Sequence, residues 1–243
     1  MILLLTGCIN PSGMSFTALN NPQERLEQYI EAIKFYLTKT KYPIVFTENS
    51  GTDIRNIFHD AIQSGRMEYL FFHGNQNKNR GKGYGECEII EYALNNSKLI
   101  SKEKSQSIVK ITGRLIVKNI NTIIKSHRLM FSRRTVCFSI NSDLSFPDSR
   151  LIIAPTDFYI SFLNSKENIN DSVGYFFEHA LRDTLRREKN YPYAPFFIYP
   201  CIEGTSGSTG SIYIGEDISW SFIIKYAKYA LSQLRRFNKL YRS

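Results

Sequence analysis

Four apolar runs alternate with amphipathic segments through the first half of the chain, and this alternation limits the fold more than any other feature. "ILLLTG" (2–7), "YPIVFTENSG" (42–51), "MEYLFFHGN" (67–75) and "SIVKITGR" (107–114) each read as a buried strand ending in polar residues. Between them, "QERLEQYIEAIKFYL" places Leu26, Ile30, Ile33 and Leu37 on one helical face, with Pro22 near its start. "DIRNIFHDAIQSG" reads as a helix closed by Gly65, and "GYGECEIIEYALNNS" as a helix entered through a glycine loop. A β-α-β-α-β-α-β order predicts an α/β fold, a mostly parallel sheet flanked by helices, with a Rossmann-like N-terminal half.

The pattern then changes. "TVCFSINSDLSF" and "SRLIIAPTDFYISFL" have strand character without regular intervening helices. "SVGYFFEHALRDTLRRE" reads as a helix, "APFFIYPCIEG" as a strand, and "TSGSTGS" as a flexible loop. A basic helix from Trp220 to Tyr241 closes the chain. No internal repeat or Pro/Gly-rich linker forces a boundary, so residues 1–243 read as one domain. Within it, 1–118 would be a ligand-binding half, 119–217 a second half, and 218–243 a basic amphipathic terminus.

A 42% hydrophobic content in 243 residues is enough for a substantial core. The net charge of +9 points to a polyanionic partner: nucleic acid, phosphorylated ligand or acidic membrane. Cys8, Cys87, Cys137 and Cys201 lie far apart with no CxxC pair, which argues against zinc and for buried thiols in a reducing compartment. His59, His73, His127 and His179 show no metal-ligand spacing. "LLTGC" (4–8) matches a lipoprotein cleavage pattern but lacks a basic n-region and a long apolar core, so a first core strand is expected. No run approaches the roughly 20 apolar residues of a membrane span.

In an open parallel sheet, ligands sit outside the carboxyl ends of the strands. Thr6-Gly7, Thr47-Glu48-Asn49-Ser50, His73-Gly74-Asn75 and Thr112-Gly113-Arg114 converge there. The loop "NKNRGKGYGE" (77–86) enters at the same edge. Its glycines would let backbone amides approach a phosphate, with Lys78, Arg80 and Lys82 supplying charge; the bland reading is a glycine turn with solvated cations. It matches neither the Walker A pattern nor the dinucleotide fingerprint.

The order of these pieces, and above all "GKGYGECEIIEYALNNSKLI…SIVKITGRL", resembles the nucleotide-sugar-binding half of a GT-A glycosyltransferase. The likeness covers residues 1–118 in layout and the remainder more loosely. It is closest to the small enzymes that build bacterial capsule, lipopolysaccharide or other surface glycans. What the resemblance implies is transfer of a sugar from a nucleotide-diphospho-sugar, UDP-linked, to a glycan acceptor that could be lipid-linked. Thr6, Gly7, Glu48, Asn49, Lys82, Gly83 and Thr112 would hold the donor. Thr112-Gly113-Arg114 stands where the family has its metal-binding Asp-x-Asp. Both carboxylates are missing, so no metal and no cofactor is expected, and Arg114 would pair with the diphosphate instead. The other reading of Arg114 is a structural salt bridge.

Inverting transfer needs a base for the acceptor hydroxyl. "GYFFEHALRD" (174–183) offers Glu178, with an ordinary first-turn helix acid as the alternative. Asp148 and Arg150 in "FPDSR" could contact the donor sugar or pair with each other. "GTSGSTG" (204–210) could be a lid on the acceptor side or a surface loop. In the last helix, Phe222, Ile223, Tyr226, Tyr229, Ala230 and Leu234 would form an apolar side, with Lys225, Lys228, Arg235, Arg236, Lys239 and Arg242 around it. Such a helix either packs on the core or lies on an anionic bilayer. The expected location is therefore the cytoplasm, with peripheral contact to the inner face of the cytoplasmic membrane.

Two rivals stand beside this reading. A sugar nucleotidyltransferase would carry a basic Gly-rich loop after the first strand, where "TGCINPSGM" has no basic residue. A nucleic-acid-binding protein would need aromatics interleaved with cations on an exposed face, whereas the tyrosines here fall in predicted core segments, so no nucleic-acid partner is expected.

Overall fold

The computed structural model describes residues 1–11, 13–14, 17–101, 107–142, 144, 146–215 and 220–242. Along the chain run β1 (Ile2–Gly7), α1 (Pro22–Lys39), β2 (Ile44–Glu48), α2 (His59–Gln63), β3 (Met67–Phe71), α3 (Lys82–Asn96), α4 (Lys98–Ser101) and β4 (Ser107–Thr112). They are followed by β5 (Ile116–Val117), α5 (Ile120–Met130), β6 (Val136–Phe138), β7 (Leu151–Pro155), α6 (Thr156–Leu163), α7 (Phe177–Arg187), β8 (Tyr193–Pro195), β9 (Ile202–Thr205), β10 (Ile212–Tyr213) and α8 (Trp220–Arg242).

The main sheet has seven strands in the order β3-β2-β1-β4-β7-β6-β8. β3, β2, β1 and β4 are parallel, as the alternation predicts, and β7 is antiparallel to both its neighbours. β6 and β8 are again parallel. Strands from both halves of the chain therefore share one mixed, mostly parallel sheet. β5, β9 and β10 form a small antiparallel sheet beside it.

Side chains alternate across the pleat. Ile2, Leu4, Val45 and Ile108 face one apolar layer built with α3, α6, α7 and α8. Leu3, Leu5, Phe46, Val109 and Ile111 face the other, built with α1 and α5. Burial on both faces is why these strands read as continuous apolar runs rather than alternating ones.

Pro22 begins α1 behind Asn21, whose side chain caps the amides of Gln23 and Glu24. The face that α1 buries is Arg25, Tyr29, Ala32, Ile33 and Tyr36, with Leu26, Ile30 and Leu37 at its border. The tyrosines can be buried because their hydroxyls have partners there. Tyr36 donates to the Leu115 carbonyl at 2.8 Å and accepts from the Val117 amide at 2.9 Å, which ties α1 to the segment leaving β4.

Four expectations need correction. "DFYISFL" is a helix: β7 stops at Pro155, and α6 runs apolar on most of its surface because it packs between α3 and α7. "APFFIYPCIEG" is not one strand but ends in β8 and resumes in β9, interrupted around Pro200. α5, with Ile120, Ile123, Ile124 and His127 buried at helical spacing, was not expected at all. The helix after Gly174 begins only at Phe177, because Gly174 is left-handed at φ 80° and cannot continue it.

α8 docks through Gln233, Phe237 and Leu240, while Leu231 and Leu234 are exposed. Of the expected apolar side, Tyr229 hydrogen-bonds with Ser139 at 2.5 Å and packs on Tyr199, whereas Leu234 turns outward; the side chains of Phe222, Ile223 and Tyr226 lie outside the described residues. All four cysteines are free. Among the described residues no helix is long and apolar enough to cross a membrane.

Tyr36→Phe keeps the ring and removes the hydroxyl that joins α1 to β5. It should lower unfolding free energy by about 2–4 kcal/mol, because two buried backbone groups lose a partner. Urea denaturation with an unchanged m-value is the measurement.

Candidate functional site

At the carboxyl end of the parallel strands lies a cavity of about 890 Å³. Thr6, Gly7, Asn49, Lys82, Gly83, Thr112, Arg114, Asp148, Arg150 and Glu178 all line it. Residues up to 172 positions apart in the chain are thus brought to one place by the strand order.

The end of β4 sets the position of Arg114. The Gly113 amide donates to the Thr6 carbonyl at 2.9 Å, and a Cβ at Gly113 would stand 2.6 Å from that oxygen. Only glycine permits this approach, and it turns the next residue into the cavity. Arg114 is buried, and its Nη1 donates to the Thr205 carbonyl. Among the described residues it pairs with no carboxylate, so the salt-bridge alternative is not what the fold contains. Burial lowers its pKa from the ordinary arginine value.

A second buried arginine stands nearby. Arg25, from α1, donates through Nε to the Cys8 carbonyl at 2.7 Å and through Nη1 to the Leu19 carbonyl at 2.9 Å. It clamps the loop after β1 and lines the cavity. Lys82 approaches from the start of α3 and donates to Ser208 Oγ. Burial lowers its pKa, an effect that Asp171 and Glu178 oppose. The segment 205–208 thus contacts both Arg114 and Lys82, on the side where the sequence offered an acceptor lid or a surface loop.

The floor of the cavity is a polar chain through the sheet. Lys110, in the middle of β4, is fully buried on the face that meets α3. Its Nζ lies 2.5 Å from Glu86 Oε1 and donates to the Ser149 carbonyl at 2.7 Å. Thr6 Oγ1 donates to the same Glu86 oxygen at 2.7 Å. Ser149 Oγ donates to Glu178 Oε1 at 2.6 Å. Glu178 sits in the first turn of α7, and burial pushes its carboxyl above the usual range, against the opposing pull of the Ser149 hydroxyl and Lys110. A carboxylate so raised is better suited to accept a proton than a solvated one.

The glycine segment differs from its expected form. α3 begins at Lys82, so Gly83 and Gly85 are helical rather than in the entering loop. The Gly83 amide donates to Asp171 Oδ2 at 3.1 Å. A carboxylate of the protein therefore occupies the helix start where a phosphate was expected. Cβ atoms at Gly81 and Gly83 would meet Asp171 at 2.4 and 2.8 Å, which explains the glycines without a ligand. Burial raises the Asp171 pKa.

Glu48 does not line the cavity. Its Oε1 accepts from the Ile9 and Ser50 amides at 2.9 Å, and its Oε2 from the Thr52 amide at 2.9 Å. It fastens the loops after β1 and β2 to each other. Asn49 does line the cavity and donates to Asn75 Oδ1 at 2.9 Å, while Asn75 takes a left-handed φ of 61°. Asp148 and Arg150 pair bidentately at 2.8 and 2.6 Å, and the guanidinium stacks 4.8 Å over Tyr213. Their mutual pairing is one of the alternatives that the sequence offers.

Arg25, Glu86, Lys110, Ser149 and Asp171 were not singled out in the sequence. Lys110 carried a signal: a lysine between Val109 and Ile111 in a central strand must find a buried partner. Among the described residues no group of three or more His, Cys, Asp or Glu is arranged to hold a metal ion.

No protein-family model and no curated protein sequence matches the chain. Among solved structures, a cytidylyltransferase from Leptospira borgpetersenii aligns with TM-score 0.42 and 12% identity over 82% of this chain and 75% of its own. Mouse xyloside xylosyltransferase 1 in its apo form aligns with TM-score 0.43 and 7% identity over 80% and 83%. The mannosyltransferase Ktr4p from S. cerevisiae in complex with GDP aligns with TM-score 0.42 and 10% identity over 96% and 83%. The fold assignment made here rests on strand order and register alone.

Asp171→Asn keeps an acceptor for the Gly83 amide and removes the charge. The raised pKa means that ionising Asp171 costs folded-state stability. That cost is absent below the ordinary value of 3.8, grows as pH rises through it, and is complete above the folded-state pKa. The variant should therefore match wild type near pH 3 and gain on it as pH rises towards 7 in thermal melts. A constant offset would show that the charge at the start of α3 is not penalised.

Proposed function

We propose that this chain is a glycosyltransferase that moves a sugar from a nucleotide-diphospho-sugar, UDP-linked, to a glycan acceptor. What carries the reading is one juxtaposition. Arg114 and Arg25, which rest on neutral carbonyls, share a cavity at the strand ends with Glu178, a half-buried carboxylate of raised pKa. The cations suit a diphosphate, and the carboxylate suits the hydroxyl of an acceptor.

In this reading Thr6, Gly7, Asn49 and Thr112 form the donor end, with Glu48 acting through the loops that it fastens. Gly83 shapes the start of α3 so that Lys82 faces the diphosphate. Asp148 and Arg150 act as a pair bordering the donor sugar. Glu178 takes the proton of the acceptor hydroxyl as its oxygen forms a bond to the anomeric carbon. The bond from that carbon to the diphosphate oxygen breaks, and its electron pair stays on the diphosphate, where Arg114 and Lys82 stabilise it. The configuration inverts. The missing Asp-x-Asp carboxylates make the proposed reaction metal-independent. The acceptor is a surface glycan of the bacterial capsule or lipopolysaccharide kind, as the resemblance of the sequence implies.

Arg25 favours one second reading. It brings a buried cation to the loop after β1, where a sugar nucleotidyltransferase needs one. Products separate the two: a nucleotidyltransferase makes pyrophosphate from a nucleoside triphosphate and a sugar phosphate, and a glycosyltransferase releases nucleoside diphosphate.

Glu178→Gln keeps shape and removes basicity. Turnover should fall about 10²-fold or more with donor affinity nearly unchanged. Near wild-type turnover would remove Glu178 from the mechanism.

Arg114→Ala should weaken UDP binding far more than uridine binding in calorimetric titrations. Arg114→Lys should rescue poorly, because a single ammonium lacks the planar fork. Activity should persist in excess EDTA. Loss with EDTA and recovery with Mn²⁺ would overturn metal independence.

A further inference from the structure

Where α8 borders the cavity, a second depression of about 330 Å³ opens on the surface. Ser232 and Arg236 line both, so the two adjoin. Lys228, Leu231, Arg235 and Lys239 complete most of the outer one, and among the described residues no acid lines it. Positions 228, 231, 232, 235 and 239 share one helical face. The eleven-residue interval from Lys228 to Lys239 spans about 16 Å at helical rise.

The wall of this groove is fixed. Gln233 exchanges two hydrogen bonds with the backbone of Ile140, at 2.9 and 3.0 Å. Arg236 Nη1 donates to the same carbonyl at 2.7 Å, and Phe237 and Leu240 are buried in the core. The helix that carries the outer cations is thus held in place, and their like charges repel one another. Among the described residues none of Lys228, Arg235, Arg236 or Lys239 pairs with a carboxylate. Such an arrangement costs stability in the free protein and is offset when an anion binds.

The shape decides which anion. A bilayer is broad and would meet a convex face, whereas this surface is a concave depression that adjoins the cavity lined by Glu178. Its lining is polar except for Leu231, and an extended chain of charged sugars fits such a groove. We propose that the groove is an acceptor subsite that holds the already assembled part of an anionic glycan, bearing carboxylate or phosphate groups, while its growing end reaches Glu178. The acceptor role rests on the glycosyltransferase reading.

The test measures binding of fluorescent hexagalacturonate, a glycerol-phosphate hexamer and neutral maltohexaose by anisotropy. It compares wild type with K228E/R235E/K239E and with K34E/K41E/K125E, which carries the same charge change on exposed lysines elsewhere. Wild type should bind one or both anionic probes and not maltohexaose; which of the two binds distinguishes carboxylate from phosphate. Groove reversal should weaken that binding about tenfold or more, and the distant reversal should leave it intact. Equal weakening by both variants would mean general charge attraction and overturn the proposal. So would equal binding by all three proteins. So would failure of both anionic probes with groove-dependent binding to phosphatidylglycerol vesicles, which would assign the face to a bilayer. UDP-induced thermal stabilisation is read in the same samples and should be equal in all three. Groove-dependent probe binding with UDP stabilising none of them would uphold the glycan site and overturn its role as an acceptor site for transfer.

Discussion

The ion pair between Lys110 and Glu86 is the constraint on which the cavity depends. A lysine in the middle of a central strand cannot reach water, and leaving its charge unpaired in the apolar layer would cost several kcal/mol. Glu86 supplies the opposite charge from the second turn of α3, so that helix must lie over β4 at one rotation. The remaining donors of Lys110 and the remaining capacity of Glu86 fix what surrounds them. Ser149 brings in the turn before β7, and Thr6 the end of β1. Through the Ser149 hydroxyl the same network reaches Glu178 on α7. Four segments that are distant in sequence are held by one buried charge.

The site then divides into two electrostatic regions. Near the loop after β1, Arg25 and Arg114 sit on carbonyl oxygens, which leave their charge largely uncompensated. Around α3 and α7 stand three acids, Asp171 buried and Glu86 and Glu178 half-buried, each with hydrogen-bond donors of the protein. Asp171 at the start of α3 is the clearest case. An anion belongs at a helix N-terminus, and here the protein provides it. The glycines that look like a phosphate cradle are explained by the closeness of that carboxylate. Anion binding by an incoming ligand is left to side chains, chiefly guanidinium groups, whose geometry suits a diphosphate.

Much of the first half was legible. Burial on both faces makes β1, β2 and β4 nearly pure apolar runs. The second half was less so, because its elements are short and its helices are apolar for different reasons. α6 packs against two other helices, and its solvent side carries the exposed Ile160 between Asp157 and Ser161, so "DFYISFL" shows too little polar contrast to reveal a helical period. α1 was recognised but rotated. Beside Ala32 and Ile33 its buried face takes in Arg25, Tyr29 and Tyr36, polar groups that a hydrophobic pattern places outside and that only their partners bring in.

The sequence by itself determined the parallel core, the strand ends that carry Thr6, Asn49 and Arg114, and the basic terminus, because each follows from local pattern and chain order. It could also mark Lys110 as a residue needing a partner, without saying which. Only the tertiary structure decided that the partner is Glu86, that Asp171 rather than a ligand caps α3, that Glu48 is spent on loop amides, and that α8 turns Leu234 outward. Those outcomes depend on which polar groups meet after the layers pack. That meeting is set by distances across the fold, and the energy of a buried charge depends on the one neighbour it finds.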